Sequence, residues 1–232
     1  MHSIITYRYM LELVFVDVWG PSPIPASNGE RYYIAFIYAY SRYTLLYLLH
    51  AKSQVSSTFL DFKRFVEHQT GFKIKSLQTD NAKEFLALHK TLKTFGICHR
   101  LTCPHTHEQN GSIERKHRHV LNVGLSLLSG TSLPLQYWGE TFLSSVMIIN
   151  SFPTPVLNNN NLYTKIFKKK PDYNFFLKCL VVLVTLSYAL TILTSLVCVL
   201  KSVYFLDIVQ TTRDMFVSQP KVDGIFHDIY IQ

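Results

Sequence analysis

The chain has 232 residues, of which 48% are hydrophobic and 14% aromatic. This length and composition suffice for one sizeable core with an appendage, and they exclude general disorder. The net charge of +8 is uneven, because residues 1–178 hold 20 Lys and Arg against 11 Asp and Glu, whereas residues 179–232 hold 3 against 4. A basic region attracts polyanions such as DNA, although charge alone does not distinguish a DNA-binding surface from a merely soluble one.

The first predicted elements are three strands. Alternation in LELVFVDVW (11–19) puts Asp17 on the same strand face as large apolar side chains, and the strand stops at GPSPIP. RYYIAFIYAY and RYTLLYLLH follow, rich in Tyr, Ile and Leu and joined by a short polar turn. Together the three segments predict an antiparallel start to a sheet.

Helices and strands then alternate. A helix capped by Ser53 and ended by Gly71 is predicted from the spacing of Val55, Phe59, Phe62 and Val66. FKIKSLQT reads as a strand leading into Asp80, at the carboxyl end where sites collect in α/β folds. A second helix, with Phe85, Leu88, Leu92 and Phe95 on one stripe, precedes a short strand, ICHRLT. Two more helices follow, over residues 108–130 and in LPLQYWGETFLSSVMIIN.

Three acidic residues stand where a metal-dependent nuclease would need them: Asp17, Asp80 and Glu114. Converging carboxylates bind hard divalent ions such as Mg²⁺ through oxygen, and a pair of ions about 4 Å apart can clamp both oxygens of a phosphodiester. Each residue also has a structural interpretation, as an edge-strand acid, a helix N-cap and an i,i+4 partner of Arg118 respectively.

The cysteines and histidines give weaker signals. Four cysteines without a C-x-x-C pair or a preceding secretory signal predict a reduced intracellular chain. His99, Cys103, His105 and His107 lie close together, but their spacing fits no common zinc finger.

The sequence segments around the carboxylates resemble the integrase catalytic core of copia-type retrotransposons. Sixty-two residues separate Asp17 from Asp80, and 33 separate Asp80 from Glu114. The matching words run in order over about residues 11–176: LELVFVDVWGP, YYIAFIYAYSRYT, KSQVSSTFLDFKRFVEHQTGFKIKSLQTDN, PHTHEQNGSIERKHRH, LPLQYWGETF and IINSFPTPVLNN.

The resemblance implies a ribonuclease-H-like α/β fold over residues 8–152, a mixed five-stranded sheet flanked by helices. It also implies a two-metal Mg²⁺ or Mn²⁺ site on Asp17, Asp80 and Glu114, strand transfer of element DNA into a target, and a nuclear location. Oligomerisation is left open. The expected DNA contacts are Asn81, Gln109, Asn110, Arg115, Lys116 and Arg118.

Two departures bear on activity. The family usually has two aspartates at Tyr38 and Ala39, and two glycines at Ala82 and Lys83. A lysine beside a metal ligand competes with a cation. We therefore expect a truncated relic whose catalysis the sequence leaves open, with a non-catalytic DNA-binding remnant as the alternative.

The C-terminal part has a different character. Residues 153–176 read as a polar, basic connector, and residues 179–200 are 22 positions without charge, enough for one transmembrane helix. The lysines before this stretch would favour a cytoplasmic amino-terminal side. A frameshift near residue 177 explains more, because regrouped codons for residues 177–196 can spell the retrotransposon-like phrase EMFGCLCYPFLRPYNSHKL. We therefore interpret residues 177–232 as an accidental, frameshifted peptide. The alternative is a membrane-tethered protein, held by residues 179–200.

Overall fold

A computed structural model describes residues 7–102, 107–131, 133–154, 157 and 159–173, with the backbone alone for residues 107–112. The predicted tail at 177–232, including the candidate span 179–200, lies outside these residues. Within the described part, no helix is long and apolar enough to cross a bilayer.

Five strands form one sheet in the order β3-β2-β1-β4-β5. They are β1 (Val14–Trp19), β2 (Tyr32–Tyr38), β3 (Thr44–Leu49), β4 (Ser76–Thr79) and β5 (Cys98–Leu101). Strand β2 runs antiparallel to both β1 and β3, whereas β4 is parallel to β1 and β5 is parallel to β4. The mixed five-stranded sheet expected from the sequence is confirmed.

Five helices accompany the sheet: α1 (Val55–Thr70), α2 (Lys83–Thr94), α3 (His107–Thr131), α4 (Trp138–Ser151) and α5 (Leu162–Phe167). Helix α2 links the parallel strands β4 and β5. A short ribbon of β6 (Pro153–Thr154) and β7 (Asn160–Asn161) stands between α4 and α5.

The two faces of the sheet carry different helices. On one face the ring of Phe36 in β2 stacks on Phe62 of α1, with centroids 3.9 Å apart. On the other face α3 and α4 pack, where Tyr33 of β2 meets Phe142 of α4. Asp17 pairs with Ala35 and Trp19 with Tyr33, so the odd-numbered residues of β1 point toward α3.

Two local predictions were wrong. Ser53 does not cap α1; it lies in a 3₁₀ turn (Lys52–Gln54), and the Gln54 side chain instead accepts hydrogen bonds from the backbone N–H groups of His50 and Ala51. Phe95 is 47% exposed, because it follows the last residue of α2, and its ring lies at the surface against the Lys63 ammonium. The predicted stop at Gly71 is confirmed by its left-handed φ of 70°.

The packed unit extends beyond residue 152, into the segment interpreted as a connector. Leu162, Tyr163 and Ile166 of α5 are buried in the main core, and α5 packs against α4. The Asn161 side chain accepts from the backbone N–H of Thr164 and so caps α5. The asparagines that precede this short helix show no helical periodicity, so the sequence did not predict it.

Candidate functional site

Asp17 and Asp80 are brought level by the parallel pairing of β1 and β4. Val14 pairs with Leu77 and Phe15 with Gln78, so the same register continued by two residues sets Asp17 beside Asp80. Adjacent strands lie about 4.8 Å apart. Both carboxylates are partly buried, at the edge of the sheet where these two strands end.

The charge of Asp17 reaches Asp80. Burial raises the pKa of the Asp80 carboxyl, the backbone N–H of Ala82 opposes this by donating to Oδ1 at 3.0 Å, and the neighbouring Asp17 charge raises the pKa further. The net pKa of Asp80 lies above its ordinary value. Holding this carboxylate ionised therefore costs free energy that a nearby cation would offset.

Glu84 and Lys52 also contribute charge at this edge, and neither was predicted from the sequence. Glu84 lies in the first turn of α2 and its carboxylate is 2.7 Å from the Lys52 ammonium. Burial raises the pKa of Glu84, but the Lys52 hydrogen bond and charge outweigh burial, so its pKa is lowered. The charges of Asp17 and Lys52 both act on Glu84, which places the pair beside the two aspartates.

His117 of α3 reaches Asp17 from the other side. Its Nε2 lies 3.2 Å from Asp17 Oδ2, although it is not aligned as a hydrogen bond, and its Nδ1 is hydrogen-bonded to the Tyr33 hydroxyl at 2.8 Å. The second oxygen of Asp17 accepts from the backbone N–H of Val18. Burial, followed by the Asp17 charge, raises the pKa of Tyr33, so the hydroxyl keeps its proton. Tyr33, His117 and Asp17 thus form a chain from the core to the site.

Glu114 is exposed on α3, one helical turn before His117. Residues three apart on a helix are neighbours, with Cβ atoms about 5–6 Å apart. Ile113 and His117 face β1, because Ile113 packs with Leu13 and Phe15 while His117 meets Asp17. Glu114 therefore lies at the edge of the helix face that packs against β1, the strand that carries Asp17.

The expected DNA contacts lie in two groups. Asn81 is exposed in the turn before α2, and Arg115 and Arg118 are exposed on α3. Lys116 is only half exposed, and burial together with the Arg42 charge lowers its pKa to about 8. The side chains of Gln109 and Asn110 lie outside the described residues, although their backbone forms the first turn of α3.

Across residues 7–102 and the other described stretches, no group of three or more His, Cys, Asp and Glu side chains is placed closely enough to hold an ion. The donor chemistry of the edge nevertheless suits a hard cation. Two carboxylates at one level each keep an oxygen that takes no backbone hydrogen bond, and burial together with the Asp17 charge raises the pKa of Asp80. The fit thus rests on the pair Asp17 and Asp80, with Glu114 one helical turn from His117.

Comparison with known proteins gives consistent matches. Residues 10–107 match the integrase core domain family. The chain is 44% identical over 172 residues, or 74% of its length, to a protein named retrovirus-related Pol polyprotein from transposon RE2 of Arabidopsis thaliana. It is 43% identical over 164 residues to the RE1 polyprotein of the same plant, and 35% identical over 147 residues to that of transposon TNT 1-94 of Nicotiana tabacum.

The chain carries an integrase core domain. It spans only 11–12% of the length of these polyproteins. The integrase core has a ribonuclease-H-like fold, and the sheet described above is of that kind. The matched range contains Asp17 and Asp80 but ends before Glu114, so the family match itself covers two of the three predicted ligands.

Two of the residues that were not predicted from the sequence had faint signals. Glu84 stands four positions after Asp80 and opens a helix, so a helix start in that register would have turned it back toward the aspartate. His117 repeats Ile113 at the i,i+4 spacing and so shares its buried face. Lys52 and Tyr33 had no local signal, because their roles depend on pairing across the sheet.

Proposed function

We propose that this integrase core domain acts on DNA by divalent-metal-dependent phosphodiester cleavage and strand transfer. The observation that carries the proposal is the alignment of Asp17 with Asp80 across β1 and β4, with the charge of Asp17 raising the pKa of Asp80. Two carboxylates at the carboxyl ends of parallel strands form a site for hard cations.

Asp17, Asp80 and Glu114 would hold Mg²⁺ or Mn²⁺, in a two-ion site by family resemblance. Bound ions would supply positive charge for the phosphate and acidify an attacking water or 3′-hydroxyl. Members of the family use divalent metals and bind DNA. The residues of this chain orient the ligands: His117 and the Val18 N–H fix Asp17, and the Ala82 N–H fixes Asp80.

The position of Lys116 supports the third ligand. Residues two apart on a helix point about 200° away from each other, so Glu114 and Lys116 lie on opposite flanks of the line from Ile113 to His117. Arg42, in the turn between β2 and β3, acts on Lys116 and marks that flank as the β2–β3 side. This supports the proposal that Glu114 lies on the β4 side, where Asp80 is.

DNA would lie along the exposed face of α3 and the turn before α2. The proposed contacts are Asn81, Gln109, Asn110, Arg115, Lys116 and Arg118. Arginines and lysines neutralise phosphates, whereas amides donate to the backbone or to base edges. Because the reaction needs chromosomal target DNA, the proposed location is the nucleus, and self-association is proposed because members of the family oligomerise.

A second candidate is a DNA-binding remnant without catalysis. Lys52 favours it, because its ammonium pairs with Glu84 and its charge lowers the pKa of Asp80, so part of the negative charge of the edge is already compensated. Lys83, exposed at the first residue of α2, adds another cation beside the turn. Both lysines would compete with a divalent ion.

The deciding experiment measures nicking and strand transfer by the full chain with Mg²⁺, Mn²⁺ or EDTA, using a supercoiled plasmid as target. Catalysis predicts metal-dependent product that falls by about 10²-fold or more in Asp17→Asn, Asp80→Asn and Glu114→Gln. Glu12→Gln, at an acid that precedes β1 and accepts from the backbone of Arg8 and Tyr9, should leave the rate unchanged. DNA binding without metal-dependent nicking in the unmodified chain would establish the remnant instead.

A further inference from the structure

A cleft opens at the end of the sheet where β1 and β4 begin, away from the carboxylate edge. It has a volume of about 490 Å³, and its walls include Arg8, Tyr9, Phe72, Lys165, Lys168 and Lys169. Tyr9 precedes β1, Phe72 follows α1 and precedes β4, and the lysines belong to α5 and the residues after it. Asp17 and Asp80 lie toward the other end of these strands, and Asp17 is three residues, or about 10 Å, beyond the first residue of β1.

The cleft is positively charged. Among the described residues that line it, four are Lys or Arg and none is Asp or Glu. The pKa of Lys165 is lowered by burial and then by the charges of Lys168 and Arg42, which shows cations crowded on one another. The nearby Glu12 carboxylate is turned to the backbone, where it accepts from the N–H groups of Arg8 and Tyr9.

Aromatic rings are interleaved with these cations. Tyr9 is 54% exposed and Phe72 47% exposed, although large aromatic side chains are usually buried. Tyr40 forms part of the wall beneath Lys165, whose ammonium lies 4.5 Å from the ring centroid and donates to the Tyr40 carbonyl. Rings next to lysines are the combination that binds unpaired nucleotides, because bases stack on the rings while the lysines meet phosphates.

We propose that this basic cleft binds a short segment of single-stranded nucleic acid, separately from the carboxylate edge. Its volume suits one or two nucleotides, whereas a duplex keeps its bases stacked inside and offers a protein surface mainly phosphates. Unpaired DNA and unpaired RNA share the chemistry that the cleft recognises. The site goes beyond the proposed catalysis and does not depend on it.

The test uses the full chain and fluorescence anisotropy with labelled oligothymidylate, oligouridylate and a duplex of equal length. Phe72→Ala should weaken binding of the single strands by about fivefold to 150-fold, the range expected for one stacked base. Phe95→Ala is the matched control, since Phe95 is also 47% exposed and lies against a lysine, but it stands just after α2 and does not line the cleft. It should leave the affinity unchanged.

The lysines provide a second, independent measurement. Lys168→Gln with Lys169→Gln should reduce the slope of log affinity against log salt by about 1.4, or about 0.7 for each lost phosphate contact on a single strand. Lys90→Gln with Lys93→Gln, on the exposed side of α2, is the control and should not change the slope. The comparison of thymidylate with uridylate shows whether DNA or RNA is preferred.

Several outcomes would overturn the cleft. They are equal losses for Phe72→Ala and Phe95→Ala, an unchanged salt slope in the Lys168 and Lys169 variant, or duplex bound as well as single strand through the same residues. Asp17→Asn separates this proposal from the catalytic one. It should abolish nicking and leave oligonucleotide affinity unchanged. Phe72→Ala should instead weaken oligonucleotide binding and leave the nicking of a short duplex substrate unchanged.

Discussion

The two ends of the central sheet differ in charge and in how their functional side chains are held. At the end where β1 and β4 finish, Asp17, Asp80 and Glu84 collect, and ordered strands or a helix start hold each of them. At the opposite end, Lys165, Lys168 and neighbouring cations line a cleft assembled from segments that flank the strands. The acidic end is fixed by strand register, whereas the basic end depends on the docking of α5.

This difference teaches that one basic chain can keep a cation site and polyanion sites apart. The start of β1 lies about 10 Å from Asp17, which exceeds the Debye length of about 8 Å at physiological salt, and the cleft lies beyond that start. Mutations at either end should therefore act independently, and the following predictions test that independence.

Asp80→Asn should have the largest effect, on stabilisation by metal. If Mg²⁺ binds the folded chain, it stabilises it by about 2.7 kcal/mol at 100 times its Kd, and loss of Asp80 should remove most of that gain. Glu12→Gln at the basic end should retain the full gain. The measurement is thermal unfolding with and without Mg²⁺.

Without metal, Asp80→Asn should be at least as stable as the unmodified chain at neutral pH. The pKa of Asp80 is raised in the fold, so its ionised form opposes folding. A metal-induced shift that survives in Asp80→Asn would show that the cation binds elsewhere.

Gly124→Ala should destabilise the chain by about 1–3 kcal/mol, because a Cβ there would overlap the ring of Phe142 where α3 packs on α4. Gly130→Ala on the same helix meets nothing within 4 Å and should stabilise by about 0.5–1 kcal/mol. Chemical denaturation measures both. Since α3 carries Glu114 and His117, Gly124→Ala should also reduce nicking while leaving binding in the basic cleft intact.

Much of the fold followed from the sequence because its signals were local. The alternation in LELVFVDVW set the face of Asp17, and the spacing from Val55 to Val66 set the buried face of α1. Gly71 ended that helix as expected, since it adopts a left-handed φ without a Cβ penalty. Each of these depends on periodicity or on a single turn.

What could not be predicted depends on contacts distant in sequence. Tyr33 and His117 are 84 positions apart, and Lys52 meets Glu84 across 32. Helix α5 has only six residues, too few for a helical period to stand out among the asparagines and lysines around it. The basic cleft joins residues near 9, 72 and 168, so no continuous motif could indicate it.

Tyr33→Phe tests the chain of contacts behind Asp17 and should cost about 1 kcal/mol, because it leaves the buried Nδ1 of His117 without its hydrogen bond. The nicking rate should fall, whereas oligonucleotide affinity at the basic end should not. Tyr38→Phe, on the same strand with its ring against Tyr43 and Phe62, is the control. Equal losses of nicking in the two variants would show that His117 does not depend on Tyr33 for its position.

The smallest expected effect is a change in how stability depends on pH. Burial raises the pKa of Glu140; its hydrogen bond from Ser27 opposes this, and the charge of buried Glu30 adds to it. Within the described chain, Oε2 of Glu30 and Oε2 of Glu140 are both buried without a hydrogen-bond partner.

A carboxyl whose pKa is raised by folding contributes stability that is fully present below its unfolded pKa and is lost as pH rises through the folded pKa. Glu140→Gln should therefore gain stability relative to the unmodified chain as pH rises from the ordinary glutamate pKa, about 4.3, toward neutral pH. Tyr137, whose own pKa is raised by burial and by Glu140, stays protonated throughout this window.

Glu12, at the basic end, should show the opposite sign. Its pKa is lowered by the N–H groups of Arg8 and Tyr9, so Glu12→Gln should lose stability relative to the unmodified chain as pH rises through the acid range. Urea denaturation across pH 4–8 measures both slopes. Slopes of the same sign would mean that the two ends of the sheet do not hold their carboxyl groups in opposite electrostatic environments.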